Sequence, residues 1–271
     1  MPGDGLRLRY HEWRPCAVSA SPLTIHHSPP IVLLHGITES GLAWRAVAED
    51  LADRRRVIAI DARGHGESGW SVDEAYAPDA HFADLVNALA ALGIERCVLA
   101  GFSMGGAVAT ICAAARPDLV ERLAIVDAYP APELSPGSLR VAAWLAAACD
   151  SAGWLPAGFD PAIARRLRDD LAAGAARRLD LWPLWEALQV PVLVVRGALS
   201  DVLTAAAAAE MVRRQPHARL LTLPGVGHQI PSQRPLELGR ALASASLPPS
   251  SCSQYQGKGA ILSEAIQTAS G

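Results

Sequence analysis

The stretch Gly101-Phe102-Ser103-Met104-Gly105, with Gly106 directly behind it, limits what this chain can fold into more than any other segment. The apolar run Cys97-Val98-Leu99-Ala100 in front of it reads as a short buried strand. The alanine-rich segment from Ala107 to Ala113, ending at Arg116-Pro117, reads as a helix. A serine between two glycines at a strand-to-helix junction sits in a turn so tight that side chains at the flanking positions would collide with the strand and the helix. The hydroxyl is then exposed at the carboxyl end of the strand. The next backbone N–H, on Met104, points at whatever the serine attacks, and the helix amino terminus adds partial positive charge there. A glycine-rich turn with an incidental serine would not need both a strand before it and a helix after it.

At 271 residues the chain has room for a large core, as one large α/β domain or two smaller ones. Apolar residues make up 51% and charged residues 19%, which is globular composition, and a net charge of -3 offers no basic surface for nucleic acid. The five cysteines, at positions 16, 97, 112, 149 and 252, have no paired spacing. Cys97 and Cys112 lie in apolar segments, so buried thiols in a reducing compartment are expected, with neither disulfides nor a metal site. The amino-terminal residues carry no signal-peptide pattern, and no apolar run reaches the roughly 18 residues of a membrane span, so a cytoplasmic protein is expected.

Along the chain, Leu6 to Trp13 alternates with the period of an edge strand, and 15–30 reads as a loop whose His26-His27 pair has no partner ligands. Ile31–Leu34 and Val57–Ile60 are buried strands, with helical spacing over 41–53 between them. A helix is expected over 76–92, then the strand carrying Ser103, then a strand over 123–127. From 130 to 188 the sequence is rich in Ala and Arg, holds Trp144, Trp154, Trp182 and Trp185, and has no strand-like run. Strand character resumes at Val192–Val195. A helix over 204–215 with Thr204 as N-cap, a strand at 220–223 and a helix over 236–247 complete the pattern. Strands alternating with helices specify a mainly parallel sheet covered on both faces.

Acyl transfer needs a nucleophile, a base and a group that fixes the base's tautomer, and in an open α/β sheet all three are expected at the carboxyl ends of strands. Ser103, Asp201 and His228 meet that requirement in that order, and Asp127, ending the strand next to the nucleophile's, competes with Asp201 for the acid. His35 and His65 sit in turns and are assigned to the scaffold.

Five segments together resemble the α/β-hydrolase fold superfamily in its serine-nucleophile branch: His35-Gly36, Asp61 to Ser68, Gly101 to Gly106, Gly197 to Asp201 and Gly227-His228. The resemblance covers about Gly5 to Leu247. It implies a mostly parallel, doubly wound sheet with a small helical cap insertion: core at 5–130 and 189–247, cap at 131–188, and a tail at 248–271 outside the functional domain. The family's first edge strand is missing. The resemblance gives Ile37 the second oxyanion N–H beside that of Met104, makes Asp201 the acid that holds His228, and requires no cofactor or metal. Serine as nucleophile argues against the dehalogenase-like and epoxide-hydrolase-like branches. The function implied is hydrolysis of a small to medium carboxylic ester, lactone or thioester; a carbon–carbon bond hydrolase of ring-cleavage products and a non-catalytic receptor on the same fold are the alternatives. A small-molecule substrate is the only partner implied.

Overall fold

In the computed structural model, residues 6–15, 28–150, 155–174 and 179–244 are described. The His26-His27 pair, Cys16, Cys252, Trp154 and the 248–271 tail lie outside them. Seven strands form one sheet: β1 (Tyr10–Trp13), β2 (Ile31–Leu34), β3 (Val57–Ile60), β4 (Cys97–Phe102), β5 (Val120–Val126), β6 (Val192–Gly197) and β7 (Ala218–Leu223). Their spatial order is β1-β3-β2-β4-β5-β6-β7. β1 runs antiparallel to β3 and every other pairing is parallel.

Ile31–Leu34, Val57–Ile60 and most of Cys97–Phe102 are unbroken apolar runs because both faces of the sheet are covered. Along β2, Ile31 and Leu33 face one core cluster, while Val32 and Leu34 face the other. The first cluster takes Trp44 from a 3₁₀ turn (Gly41–Trp44), Val47 and Leu51 from α1 (Arg45–Ala52), and Leu238 and Leu242 from the chain's last helix. The second takes Leu85 and Leu89 from α2 (Pro78–Ala91), and Val108 and Cys112 from α3 (Met104–Ala115). Cys97 and Cys112 are buried free thiols, both pushed up to about 12 by burial.

The alternating stretch from Leu6 yields only four strand residues, Tyr10–Trp13. Before Tyr10 the chain leaves the sheet to brace the turn after β3: Asp61 N–H donates to Arg9 O at 2.9 Å, and Gly69 N–H donates to Arg7 O at 2.9 Å. The Arg9 N–H in turn donates to Ser68 Oγ at 2.9 Å.

Among the described residues, three helices lie between β5 and β6: α4 (Pro136–Asp150), α5 (Pro161–Ala172) and α6 (Trp182–Glu186). Leu145 of α4, Phe159 just ahead of α5 and Ala164 within it form a small apolar cluster, which Ile37 joins from the loop after β2. The α4–α5 pair is thereby seated over the carboxyl ends of the strands. α6 behaves differently. Leu181 and Leu184 pack on Ile111 of α3, and Trp185 is fully buried with its indole N–H on Met211 O at 2.9 Å.

The foot of α5 is fastened to the core. Asp160 caps the helix by accepting the Ala162 N–H at 2.9 Å, and its other oxygen accepts the Tyr76 hydroxyl. Phe159 meets the His65 ring edge-on at 5.1 Å. After β6, α7 (Ala205–Arg214) starts at Thr204, whose hydroxyl accepts the Ala207 N–H at 3.1 Å. The short α8 (Ile230–Gln233) and α9 (Pro235–Ser244) follow β7.

Candidate active site

β4 ends in Phe102 and α3 begins at Met104, leaving Ser103 as the junction, with φ 51° and ψ -114°. A non-glycine residue in the left-handed region is uncommon and is held there by its surroundings. The holding is visible in backbone bonds: Ser103 N–H donates to Val126 O at 3.0 Å, and Gly105 N–H donates to His35 O at 3.1 Å. Glycine is required at position 105 because a Cβ there would press into the backbone carbonyl of Leu34.

Phe102 packs its ring 4.7 Å from that of His228, which follows β7 in the loop Gly225-Val226-Gly227. His228 Nδ1–H donates to Asp127 Oδ2 at 2.7 Å, and Ser103 Oγ–H donates to His228 Nε2 at 3.2 Å. Asp127 is wholly excluded from solvent. Its Oδ1 accepts the Gly197 N–H at 3.1 Å, and its Oδ2 also accepts the Ser200 hydroxyl. Two donors, one at the end of β6 and one in the loop after it, hold the buried carboxylate against the imidazole.

The expectation that Asp201 would partner His228 is therefore corrected. Asp201 lies one residue past the serine that holds Asp127, with its side chain 40% exposed, and forms an ion pair with Arg140 of α4. That guanidinium holds its carboxyl below the usual range. The physical reason is the chain direction at Asp127, which has φ 48°. A left-handed residue directly after β5 turns the carboxylate towards β6 and the histidine loop with no need of a longer connection. The Asp127 N–H donates to Val195 O at 2.8 Å, which fixes the turn.

The Met104 N–H opens α3 beside Ser103, and Ile37 stands two residues after His35, whose carbonyl is tied to Gly105. Glu39, which the sequence did not single out, ends this loop: its Oε2 accepts the Gly36 N–H at 3.2 Å, and its own N–H donates to Gly36 O at 3.2 Å.

The family profile described as the alpha/beta hydrolase fold matches residues 29–181. The chain belongs to the α/β-hydrolase family. This hydrolase is 32% identical over 252 residues to the sn-1-specific diacylglycerol lipase ABHD11 of Mus musculus, with 80% of each chain covered. It is 29% identical over 269 residues to the 3-hydroxybutyrate-oligomer hydrolase of Cupriavidus necator, covering 82% of this chain and 87% of that one. A thermophilic esterase from Thermogutta terrifontis shares the fold, with a TM-score of 0.71 at 23% identity over 88% of this chain and 92% of that one. Among the described residues of the hydrolase, no group of three or more His, Cys, Asp or Glu could hold a metal, and no helix is long and apolar enough to cross a membrane.

His35 and His65 lie behind the site with ring centroids 5.1 Å apart. His35 Nδ1–H donates to Gly36 O at 2.7 Å, while Nε2 accepts the Ala62 N–H at 2.9 Å. The neutral ring is thus used at both nitrogens, and protonation would set a donor against the Ala62 N–H. Burial, then the neighbouring His65, pushes His35 down to about 4. Burial, then His65 and Arg63, pushes His81 down to about 3. His35 and His81 border a cavity of about 30 Å³ behind Met104 and Gly105.

These two histidines make the fold acid-sensitive. Each takes up a proton near pH 6.5 when unfolded but resists it to about 4 and about 3 when folded. Stability is therefore complete above pH 6.5 and falls as pH drops below it, because only the unfolded chain gains protons. At pH 5 the two together cost about 4 kcal/mol. Thermal melts should show Tm about 7 °C lower at pH 5 than at pH 7. A Tm unchanged across that interval would show that the histidines are already solvated.

Proposed function

We propose that this α/β-hydrolase is a serine hydrolase that cleaves a carboxylic ester, lactone or thioester through an acyl-enzyme on Ser103. The observation that carries the reading is the bridge made by His228, 2.7 Å from Asp127 on one ring nitrogen and 3.2 Å from Ser103 on the other. Ser103 Oγ attacks the carbonyl carbon while His228 Nε2 takes its proton. Asp127 keeps the Nδ1–H tautomer and stabilises the imidazolium. The developing oxyanion is met by the N–H groups of Met104 and Ile37, with the amino terminus of α3 adding positive potential. Collapse of the tetrahedral species breaks the bond to the leaving group, which receives the proton from His228. Water, deprotonated by His228, then attacks the acyl-serine, and the acid leaves as Ser103 recovers its proton. The names of the relatives, a lipase and an oligomer hydrolase, support the ester-like substrate class.

The test joins labelling to turnover. A fluorophosphonate probe should modify Ser103, located by peptide mass spectrometry, and p-nitrophenyl esters should be turned over many times per protein molecule. Labelling without turnover of any ester or lactone would leave a receptor on this fold. Turnover confined to ring-cleavage diketones would move the reaction to carbon–carbon bonds.

A further inference from the structure

The loop from His35 to Glu39 brings one acidic side chain to the edge of the acyl-transfer site, and the mechanism above does not use it. Two bonds between Gly36 and Glu39, each 3.2 Å, fold Glu39 back on the loop that carries Ile37. A Cβ placed on Gly36 would lie 3.3 Å from Glu39 Oε2 and 3.0 Å from the Phe102 ring, and that ring packs 4.7 Å from His228. The carboxylate, the Phe102 ring and the histidine thus share one small region. Burial pushes the Glu39 carboxyl up, partly offset by the Gly36 N–H and by the nearby His228.

A half-buried carboxylate is ordinarily matched with a cation. Glu39 has no arginine or lysine ion pair among the described residues, and its side-chain hydrogen bond is the one from Gly36. Arg140 of α4 is taken up by Asp201. A substrate carboxylate beside the Ile37 loop would therefore meet a like charge in a region of low dielectric, whereas a neutral or ammonium group would not.

We infer that Glu39 sets the charge selectivity of this site: the substrate is neutral or carries a cationic group beside the Ile37 loop, and esters bearing a free carboxylate there are rejected. This rests on acyl transfer at Ser103, and the two can be told apart.

The experiment compares p-nitrophenyl esters that share a four-methylene acyl chain: the neutral hexanoate, the adipate monoanion and the ω-trimethylammonio pentanoate. They are assayed at pH 8 with the wild type, Glu39→Gln and Ser103→Ala. Glutamine keeps an oxygen for the Gly36 N–H and removes only the charge, so a structural role would leave the ratios between substrates unmoved. The wild type should favour hexanoate over adipate in kcat/KM by about tenfold or more, the size expected for like charges near a partly buried site. Glu39→Gln should lower that ratio about tenfold and reduce the preference for the cationic ester. A wild type with no preference against adipate overturns the inference, whatever the variant does. So does a Glu39→Gln protein whose three rates change in parallel. Hydrolysis of hexanoate that survives in Ser103→Ala overturns the acyl-enzyme reading, and the selectivity argument with it.

Discussion

Alanine in place of Ser103 is expected to cut turnover of a p-nitrophenyl ester by a factor on the order of 10⁵, with the fold intact. Ser103 sits at φ 51°, and its hydroxyl makes one bond, to His228, at 3.2 Å. Alanine occupies the same backbone region at about the same cost, since both residues carry a Cβ. The two backbone bonds that shape the turn, Ser103 N–H to Val126 and Gly105 N–H to His35, do not involve the side chain. Melts of the two proteins should agree within a few degrees. What remains of the rate would come from the N–H groups and from the position of His228, which is small without a nucleophile. An alanine variant that keeps a tenth of the wild-type rate would end the covalent mechanism.

Nearly as large an effect is expected at Asp127. Its carboxylate is fully buried and accepts from His228, Gly197 and Ser200. Asparagine fits the left-handed backbone well, because Asn visits that region readily. The side chain, however, must turn an NH₂ towards at least one of three donors. Facing His228, it would force the proton to Nε2, where the ring can no longer accept from Ser103. The same change in a serine protease costs about 10⁴ in rate, and a loss of that order is expected here. A further 1–3 kcal/mol of stability goes with the unmatched donors. Asp201→Asn is the contrasting case. Its ion pair with Arg140 is exposed on both sides, so the change should cost no more than about 1 kcal/mol and leave the rate within a few-fold. Both variants should be assayed on one ester at pH 8 and their melts recorded. If Asp201→Asn proved the more damaging at equal foldedness, the hydrogen bonding around His228 would have to be rearranged during turnover.

The partner of His228 was the point at which sequence reasoning failed, and the reason is geometric. Ser103 and His228 are announced by their own neighbours: a glycine on each side of the first in its turn, and Gly227 ahead of the second. Asp127 is marked only by ending the strand beside the nucleophile's, with no glycine or other neighbour to single it out. Its role depends on a positive φ and on donors 70 and 73 positions away. The family resemblance pointed to Asp201, which follows a buried strand. The chain there does hold the Asp127 carboxylate, but through Ser200 and Gly197, not through the carboxylate of Asp201. Glu39 escaped notice for a similar reason, since a glutamate in a loop is ordinarily solvated and only the folded turn brings it back towards His228.

The sheet was legible almost strand for strand because burial on both faces writes itself as unbroken Val, Ile and Leu. The first strand was overestimated, since alternation of side chains cannot tell a residue paired in the sheet from one bracing the turn at Asp61–Ser68. The tryptophans of the 131–188 segment divide the same way. Trp185 is core, while Trp144 is half exposed on α4. Composition alone could not separate them.

Ser103 and Asp127 close two strands that lie side by side, and both stand in the left-handed region. Each is held there by the rest of the molecule at a cost of about 1–3 kcal/mol. The strand ends that carry the proposed chemistry are therefore places where the native state is strained. Glycine at either position would be the more comfortable residue and would abolish the chemistry. A library of variants screened by heat resistance alone would be drawn towards relaxing these two turns and would drift to well-folded, inert proteins. Selection for robustness in this chain has to be coupled at every round to a measurement of turnover.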